Sequence, residues 1–364
     1  MQKHSVLAIA LGAALIAPVA AFASQPTVWG YGQVLAGQRT DMTGAKGMDF
    51  SLNRIRLGVK GNATSDINYL FQFSFDKGNS GIVRDAAVGL NMLPFAELEV
   101  GQFKTPVGQE FQVSGANLEF INRNMGTNLL PQRDIGLMVH NKNGSGYGLN
   151  YALGLFNNAN ASDTNADVLV GSAYQYPDKG TQPPGGSVPG KYLVAARVGY
   201  GMGKMMNFEV SGDEQAVNNG ANPGSPSDIL TWDAGLKGSM QGAQYGMEYV
   251  RTIHPFIGTF TTGPTIITSG GFLPTPAADW YVYAGYKLMR RIEPVIRFDR
   301  LEAGGSVDNT TLGVNYDFAP RKTIATKLQV NYIIPSSNKT TALDQALPGV
   351  YTSHTLQVEL QVGF

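Results

Sequence analysis

The chain has 364 residues, with 27 basic and 27 acidic side chains, 45 glycines and no cysteine. Balanced charge excludes the strongly basic surface of a nucleic-acid binder, and the lack of cysteine excludes a disulfide-held exported scaffold. Beyond the first segment, no apolar run approaches the ~18 residues a membrane helix needs.

The N-terminal segment carries Lys3, then VLAIALGAALI, Pro18 and Ala21-Phe22-Ala23. A charged start, a short apolar core and small residues at the cleavage positions predict a secretory signal peptide over 1–23, cut after Ala23. Residues 24–364 are then exported. Their charge stays near neutral, because the leader removes Lys3 and no acid.

From there on, apolar and polar side chains alternate with period two in segments of about eight to ten residues, the signature of half-buried strands. Ile67, Tyr69, Phe71, Phe73 and Phe75 share one parity, with Asn68, Gln72 and Ser74 on the other and Leu70 the one exception. Leu149, Tyr151, Leu153 and Leu155 repeat the pattern, as do Leu230, Trp232, Ala234 and Leu236. Sixteen such segments are predicted, near 27–38, 50–60, 67–75, 84–92, 95–103, 133–141, 148–156, 192–200, 206–212, 229–238, 243–251, 279–288, 291–299, 310–318, 325–333 and 354–364. Helical periodicity is nowhere sustained.

Short connections such as GNATSD, KNGSGY and LMRR follow the even-numbered segments, whereas long ones follow the odd-numbered, including 104–132, 157–191, 213–228, 252–278 and 334–353. Sixteen antiparallel strands with this asymmetry predict an all-β transmembrane barrel of the outer-membrane type, its short turns facing the periplasm and its long loops outside. A soluble sandwich or propeller would not demand the asymmetry. The last segment, HTLQVELQVGF, places Leu356, Val358, Leu360, Val362 and Phe364 on one face and Thr355, Gln357, Glu359 and Gln361 on the other. In a closed barrel that segment pairs with the first, so no edge is left.

Parity also sorts the charges, since an Arg or Lys on the lipid face at mid-membrane costs about 2–4 kcal/mol. Arg54, Arg56 and Lys60 share one parity opposite Ile55, Leu57 and Val59, a rung of cations along one wall. Arg197, Lys237, Arg297 and Lys327 also point inward, opposed by Glu97, Glu99, Asp233, Glu248, Glu293, Asp299 and Glu359. Two readings stay open, an anion-attracting track with acids shaping its field, or a wall of mutually paired charges that keeps the lumen wet. The segment 104–132 lacks alternation and is long enough to be functional. Folded inward it would narrow the channel, with Lys104, Glu110, Glu119, Arg123 and Arg133 as lining groups. Its Phe111, Leu118, Phe120 and Ile121 ask for something to pack against.

Catalytic patterns are absent. His140, His254 and His354 are scattered without ligand-like spacing, and neither a nucleophile elbow nor a phosphate loop occurs. No enzyme activity, metal or other cofactor is expected. Tyr281, Tyr283 and Tyr286 with Trp280 read either as a sugar-stacking slide or as girdle aromatics and lumen fillers.

The run VRDAAVGLNMLPFAELEVGQFKTPVGQE, followed by LEFINRN, RDIGLMVH and YALGLFNN, resembles the phosphate-selective porin O and P family, and NRIRLGVKG, AADWYVYAGYKL and EPVIRFDRLE fit it as well. The resemblance implies a sixteen-stranded homotrimeric outer-membrane porin with its third loop in the lumen, surrounded by outer-membrane lipid and lipopolysaccharide. Phosphate-specific members carry an arginine ladder and a lysine cluster at the mouth. Arg54, Arg56 and Arg133 match as rungs, while no loop holds a dense lysine cluster. A final strand ending in Phe364 resembles the signal such barrels present to their insertion machinery. The expected function is passive diffusion of small hydrophilic solutes and ions, with a bias toward small anions. The competing reading is a plugged structural or partner-binding barrel, an adhesin or a sheath, using loops 157–191 and 252–278.

Overall fold

The structure is a computed structural model. It describes residues 25–40, 46–76, 82–91, 94–141, 146–157, 192–216, 228–253, 276–303, 305–318, 324–337 and 353–364, with Tyr351 and short pieces between 256 and 272. The expected signal peptide and the loop 157–191, apart from Asn157, lie outside the described residues.

The strands are β1 (Thr27–Thr40), β2 (Lys46–Asn62), β3 (Ile67–Ser74), β4 (Ile82–Leu90), β5 (Ala96–Lys104), β6 (Arg133–Asn141), β7 (Tyr147–Phe156), β8 (Leu193–Met202), β9 (Asn207–Ala216), β10 (Asp228–Met240) and β11 (Ala243–Ile253). Four short strands follow, β12 (Phe256–Ile257), β13 (Phe260–Thr262), β14 (Thr265–Ile267) and β15 (Gly271–Phe272), then β16 (Ala277–Tyr286), β17 (Ile292–Glu302), β18 (Ser306–Asp317), β19 (Lys327–Ser337) and β20 (Thr355–Gly363). β1–β11 and β16–β20 close into one antiparallel barrel in chain order, each strand beside its sequence neighbour. All sixteen predicted segments are barrel strands, with ends shifted by a few residues. Within the predicted loop 252–278 the short strands pair β12 with β15 and β13 with β14, which alternation did not foreshadow.

The barrel closes where β1 pairs with β20, from Tyr31 opposite Gly363 to Gly37 opposite Gln357. The closure continues one residue further, as Phe364 N donates to Gly30 O (3.0 Å) and Gly30 N to Phe364 O (3.2 Å). Glycine is required at position 30, since a Cβ there would stand 2.5 Å from Phe364 Cζ and 2.8 Å from Arg56 O. Turns on the short-loop side are tight. Gln241 and Gly242 both take positive φ (51° and 89°) between β10 and β11, the conformation a two-residue hairpin demands.

Burial is inverted relative to a soluble protein. Leu356, Leu360, Val362 and Phe364 are exposed, whereas Thr355, Gln357, Glu359 and Gln361 are buried. The same split runs round the wall, with Leu149, Leu153, Trp232, Trp280, Val282, Leu312 and Val314 outward. An apolar outside and a polar inside suit a barrel in lipid whose lumen holds water and polar groups. The apolar packing inside is local. Phe103, Val107, Phe111, Met125, Leu129 and Leu130 meet Phe156, Leu193, Val250, Leu301 and Val307, and so fasten the inward loop to the wall.

Candidate functional site

Past Lys104 the chain leaves the wall and crosses the lumen until Arg133 starts β6. The turn inward uses Gly108 at φ 83°, where a Cβ would collide with Leu130 at 2.1 Å. One helical turn follows, α1 (Gln109–Gln112), and then two 3-10 turns, Gly115–Asn117 and Met125–Leu129. Each 3-10 turn is started by a polar cap. Ser114 accepts from Ala116 N, and Asn124 Oδ1 accepts from Thr127 N at 2.8 Å.

The loop has no ladder of its own, so its backbone groups must find partners on the wall. Gly108 N donates to Ser211 Oγ (3.0 Å) on β9. Glu110 N reaches Glu248 (3.3 Å) on β11, and Met125 N reaches Asp299 Oδ2 (3.0 Å) on β17. Carbonyls are served from the other direction. Arg297 Nη1 donates to Asn122 O (3.0 Å), Lys327 Nζ to Leu118 O (2.7 Å) and Asn315 Nδ2 to Glu119 O (2.9 Å). Gln361 serves Ala116 O (3.1 Å), Gln33 serves Gly115 O (3.2 Å) and Arg54 serves Ile121 O (3.2 Å). The loop is thus tied to the wall from β9 round to β2.

What remains open is a cavity of about 680 Å³ between the loop and strands β1–β6. Cations outnumber acids on its lining, with Arg54, Arg56, Lys60, Arg84, Lys104, Arg123 and Arg133 against Asp76, Asp85 and Glu99. Two of the acids are matched. Arg133 Nε lies 2.8 Å from Asp85 Oδ1, and Arg56 pairs with Asp76. Burial pushes the Asp76 carboxyl up, but the Ser74 hydroxyl and the Arg56 charge outweigh it and hold the group below the ordinary carboxylate range. Lys104 instead donates to carbonyls, Phe111 O (2.5 Å), Gln112 O (3.2 Å) and Val113 O (3.1 Å). Arg123 donates to Glu110 O (2.5 Å) and Val113 O (2.6 Å). Arg54 bonds Gln33 Oε1 (2.9 Å) besides Ile121 O. Neutral oxygens do not cancel a guanidinium charge. Burial lowers the Arg123 guanidinium to about 10, still a cation at neutral pH.

Most of the other inward acids are elsewhere, although Glu359 accepts from Asn53 (2.5 Å) of the cavity lining. Asp233, Glu248, Asp279 and Asp299 are almost fully buried beneath the loop, on the wall it covers. Arg297 and Asp299, expected to line the pore, do face inward, but the loop lies over them and neither borders the open cavity. Arg297 sits 3.6 Å from Asp299 and 3.9 Å from Glu110, with its guanidinium over the Phe120 ring. Lys237, Glu110 and Glu119 line a smaller cavity of about 280 Å³ with Lys204, Tyr281 and Tyr283. Burial, then the charge of Glu293, pushes Glu119 up to about 8. Arg197 stands 3.9 Å from Glu209, and Glu97 accepts from Asn68 (3.1 Å), neither on either cavity. Arg54, Arg56, Lys60, Glu99, Lys104, Arg123 and Arg133 do share the main cavity. Sequence reasoning missed Trp29, Leu70, Asp76, Arg84 and Asp85. Leu70 had a signal, the break in alternation of its strand.

A closed sixteen-stranded barrel with a lipid-compatible exterior, narrowed by an inward third loop beside a charged cavity, is an outer-membrane channel. The chain belongs to the Gram-negative porin family, whose model matches residues 7–333. No curated protein sequence matches it. Among solved structures it is similar in fold to the anion-selective porin of Comamonas acidovorans, at 14% identity and TM-score 0.65 over 93% of this chain and 99% of that one. It is similar as well to OmpF of Salmonella typhi in complex with daunomycin, at 14% identity and TM-score 0.63 over 93% and 97%. The trimer form of OmpT of Vibrio cholerae is a third such structure, at 13% identity and TM-score 0.56 over 94% and 100%.

Proposed function

We propose that this porin passes small hydrophilic solutes by passive diffusion with a preference for small anions, phosphate among them. One observation carries the reading, the excess of cations over acids around the open passage, while Asp233, Glu248, Asp279 and Asp299 are buried behind the loop. In a passage of this kind the sign of the lining charge sets which ions accumulate. The similar fold of a protein described as an anion-selective porin agrees with it. The same reading includes export with a cleaved leader over 1–23, assembly as a homotrimer amid outer-membrane lipid and lipopolysaccharide, and presentation of the Phe364 strand to the insertion machinery. The test is the reversal potential of the purified protein in a planar bilayer under a potassium chloride gradient. An anion-directed potential supports the proposal and a cation-directed one overturns it. Block of chloride current by added phosphate tests whether phosphate enters the same passage.

A further inference from the structure

The open passage carries apolar surface beside its cations. Trp29 shares inward parity with Tyr31 and Gln33, and it pairs in register with Gly58. Its indole fills the space a side chain at Gly58 would need, since a Cβ there would stand 2.3 Å from Trp29 Cε2. Arg56 and Lys60 flank Gly58 two residues away on the same face of β2, so a cation lies on each side of the glycine that carries the ring. Leu70 on β3 is the register partner of Lys60 and stands between inward Asn68 and Gln72. Trp29, Arg56, Lys60 and Leu70 all border the same cavity.

A passage that sorted ions by charge alone would gain nothing from an indole and a leucine on a water-bearing wall, where a polar side chain hydrates better. Placed between a guanidinium and an ammonium, they supply two contacts at once. The ring and Leu70 cover the apolar body of a solute, while Lys60 meets its carboxylate, since Arg56 is held by Asp76. Inorganic anions use only the second contact, and neutral apolar solutes only the first.

We infer that the Trp29–Leu70 patch, flanked by Arg56 and Lys60, is a subsite for small organic anions with an aromatic or bulky apolar body, of which arylcarboxylates are the simplest class. The inference rests on the anion preference proposed above. Such solutes bind in transit and so compete with chloride for the passage. Acetate, with the same charge and almost no apolar body, lacks the second contact.

The test is a titration of chloride current through the purified porin in planar bilayers at pH 7, with benzoate and with acetate. Benzoate is expected to half-block at a concentration about tenfold below that of acetate. Trp29→Ala is expected to raise the benzoate value about three- to tenfold, the range for loss of an aromatic contact, and to leave acetate unmoved. Leu70→Asn should shift it the same way by less, and it carries the test if the Trp29 variant fails to insert. Equal block by the two anions with an anion-directed reversal potential overturns the subsite and leaves the anion preference standing. A cation-directed reversal potential overturns both.

Discussion

Arg54→Gln is the sharpest perturbation of the passage. Arg54 lines the open cavity and bonds the neutral oxygens of Gln33 and Ile121. A glutamine keeps a donor there and removes one unit charge. At ~4 Å in water a unit charge contributes about 1 kcal/mol to a passing ion, which is a factor of about five in occupancy. Anions beside position 54 should fall by about that factor and cations rise by it. The permeability ratio of anion to cation therefore drops by up to about 25-fold. Screening over ~10 Å at 0.1 M salt confines the effect to ions beside the residue, so the shift should shrink as salt rises. Arg297→Gln is the matched control. It removes the same charge, but beneath the loop, where Arg297 holds Asn122 O and Arg123 O and faces Asp299 and Glu110. Its reversal potential should barely move, while its current becomes noisier as the loop loses two bonds. Reversal potentials of the two variants in planar bilayers decide the matter. An equal shift in both would refute the reasoning, because the field of the whole barrel, not the lining of one passage, would then set selectivity.

Glu119 gives a pH dependence. With its carboxyl pushed up to about 8 by burial and by Glu293, its contribution to loop docking is full below the ordinary carboxyl range and is lost as pH rises through 8. Amide exchange of residues 118–121, corrected for intrinsic rate, should be faster at pH 9 than at pH 6, and Glu119→Gln should flatten the difference. Asp85→Asn removes the carboxylate facing buried Arg133, so unfolding stability should fall by about 3 kcal/mol, read as a lower denaturant midpoint. Gly30→Ala places a Cβ against Phe364 Cζ and Arg56 O, so the yield of folded, heat-modifiable barrel should fall. Refolded in detergent, without the insertion machinery, the Gly30→Ala/Phe364→Ala double variant should recover part of that yield, because it removes the ring and leaves the backbone contact.

The barrel was legible because a membrane strand must hide its backbone in a ladder and its side chains from the wrong solvent. Both demands write themselves as period-two alternation. Strand ends drifted because alternation fades before pairing does. β9 runs to Ala216 although the three residues before it, Asp213, Glu214 and Gln215, are all polar. The paired strands β12–β15 are two or three residues each, too short for any alternation to register.

The candidate site was half legible, and the comparison of Arg54 with Arg297 shows why. Parity assigns both inward, and both do face inward. What it cannot assign is whether an inward side chain meets water or meets the loop. That depends on contacts between residues far apart in sequence, Glu110 with Glu248, Met125 with Asp299, Leu118 with Lys327. Local pattern carries no trace of them. The loop itself holds a partial signal, since Phe111, Leu118, Phe120 and Ile121 are apolar where a solvated loop would be polar, and all four are buried. They say that the loop packs, not against which wall. The choice of wall follows from chemistry, however. A loop crossing a lumen brings unpaired N–H groups, and the carboxylates of Glu248 and Asp299 accept them, while Arg297, Lys327 and Gln329 donate to its carbonyls. The wall richest in acids is the one that gets covered, and the passage left open is the one with cations in excess. The anion preference proposed above would on this account follow from how the loop finds its hydrogen bonds.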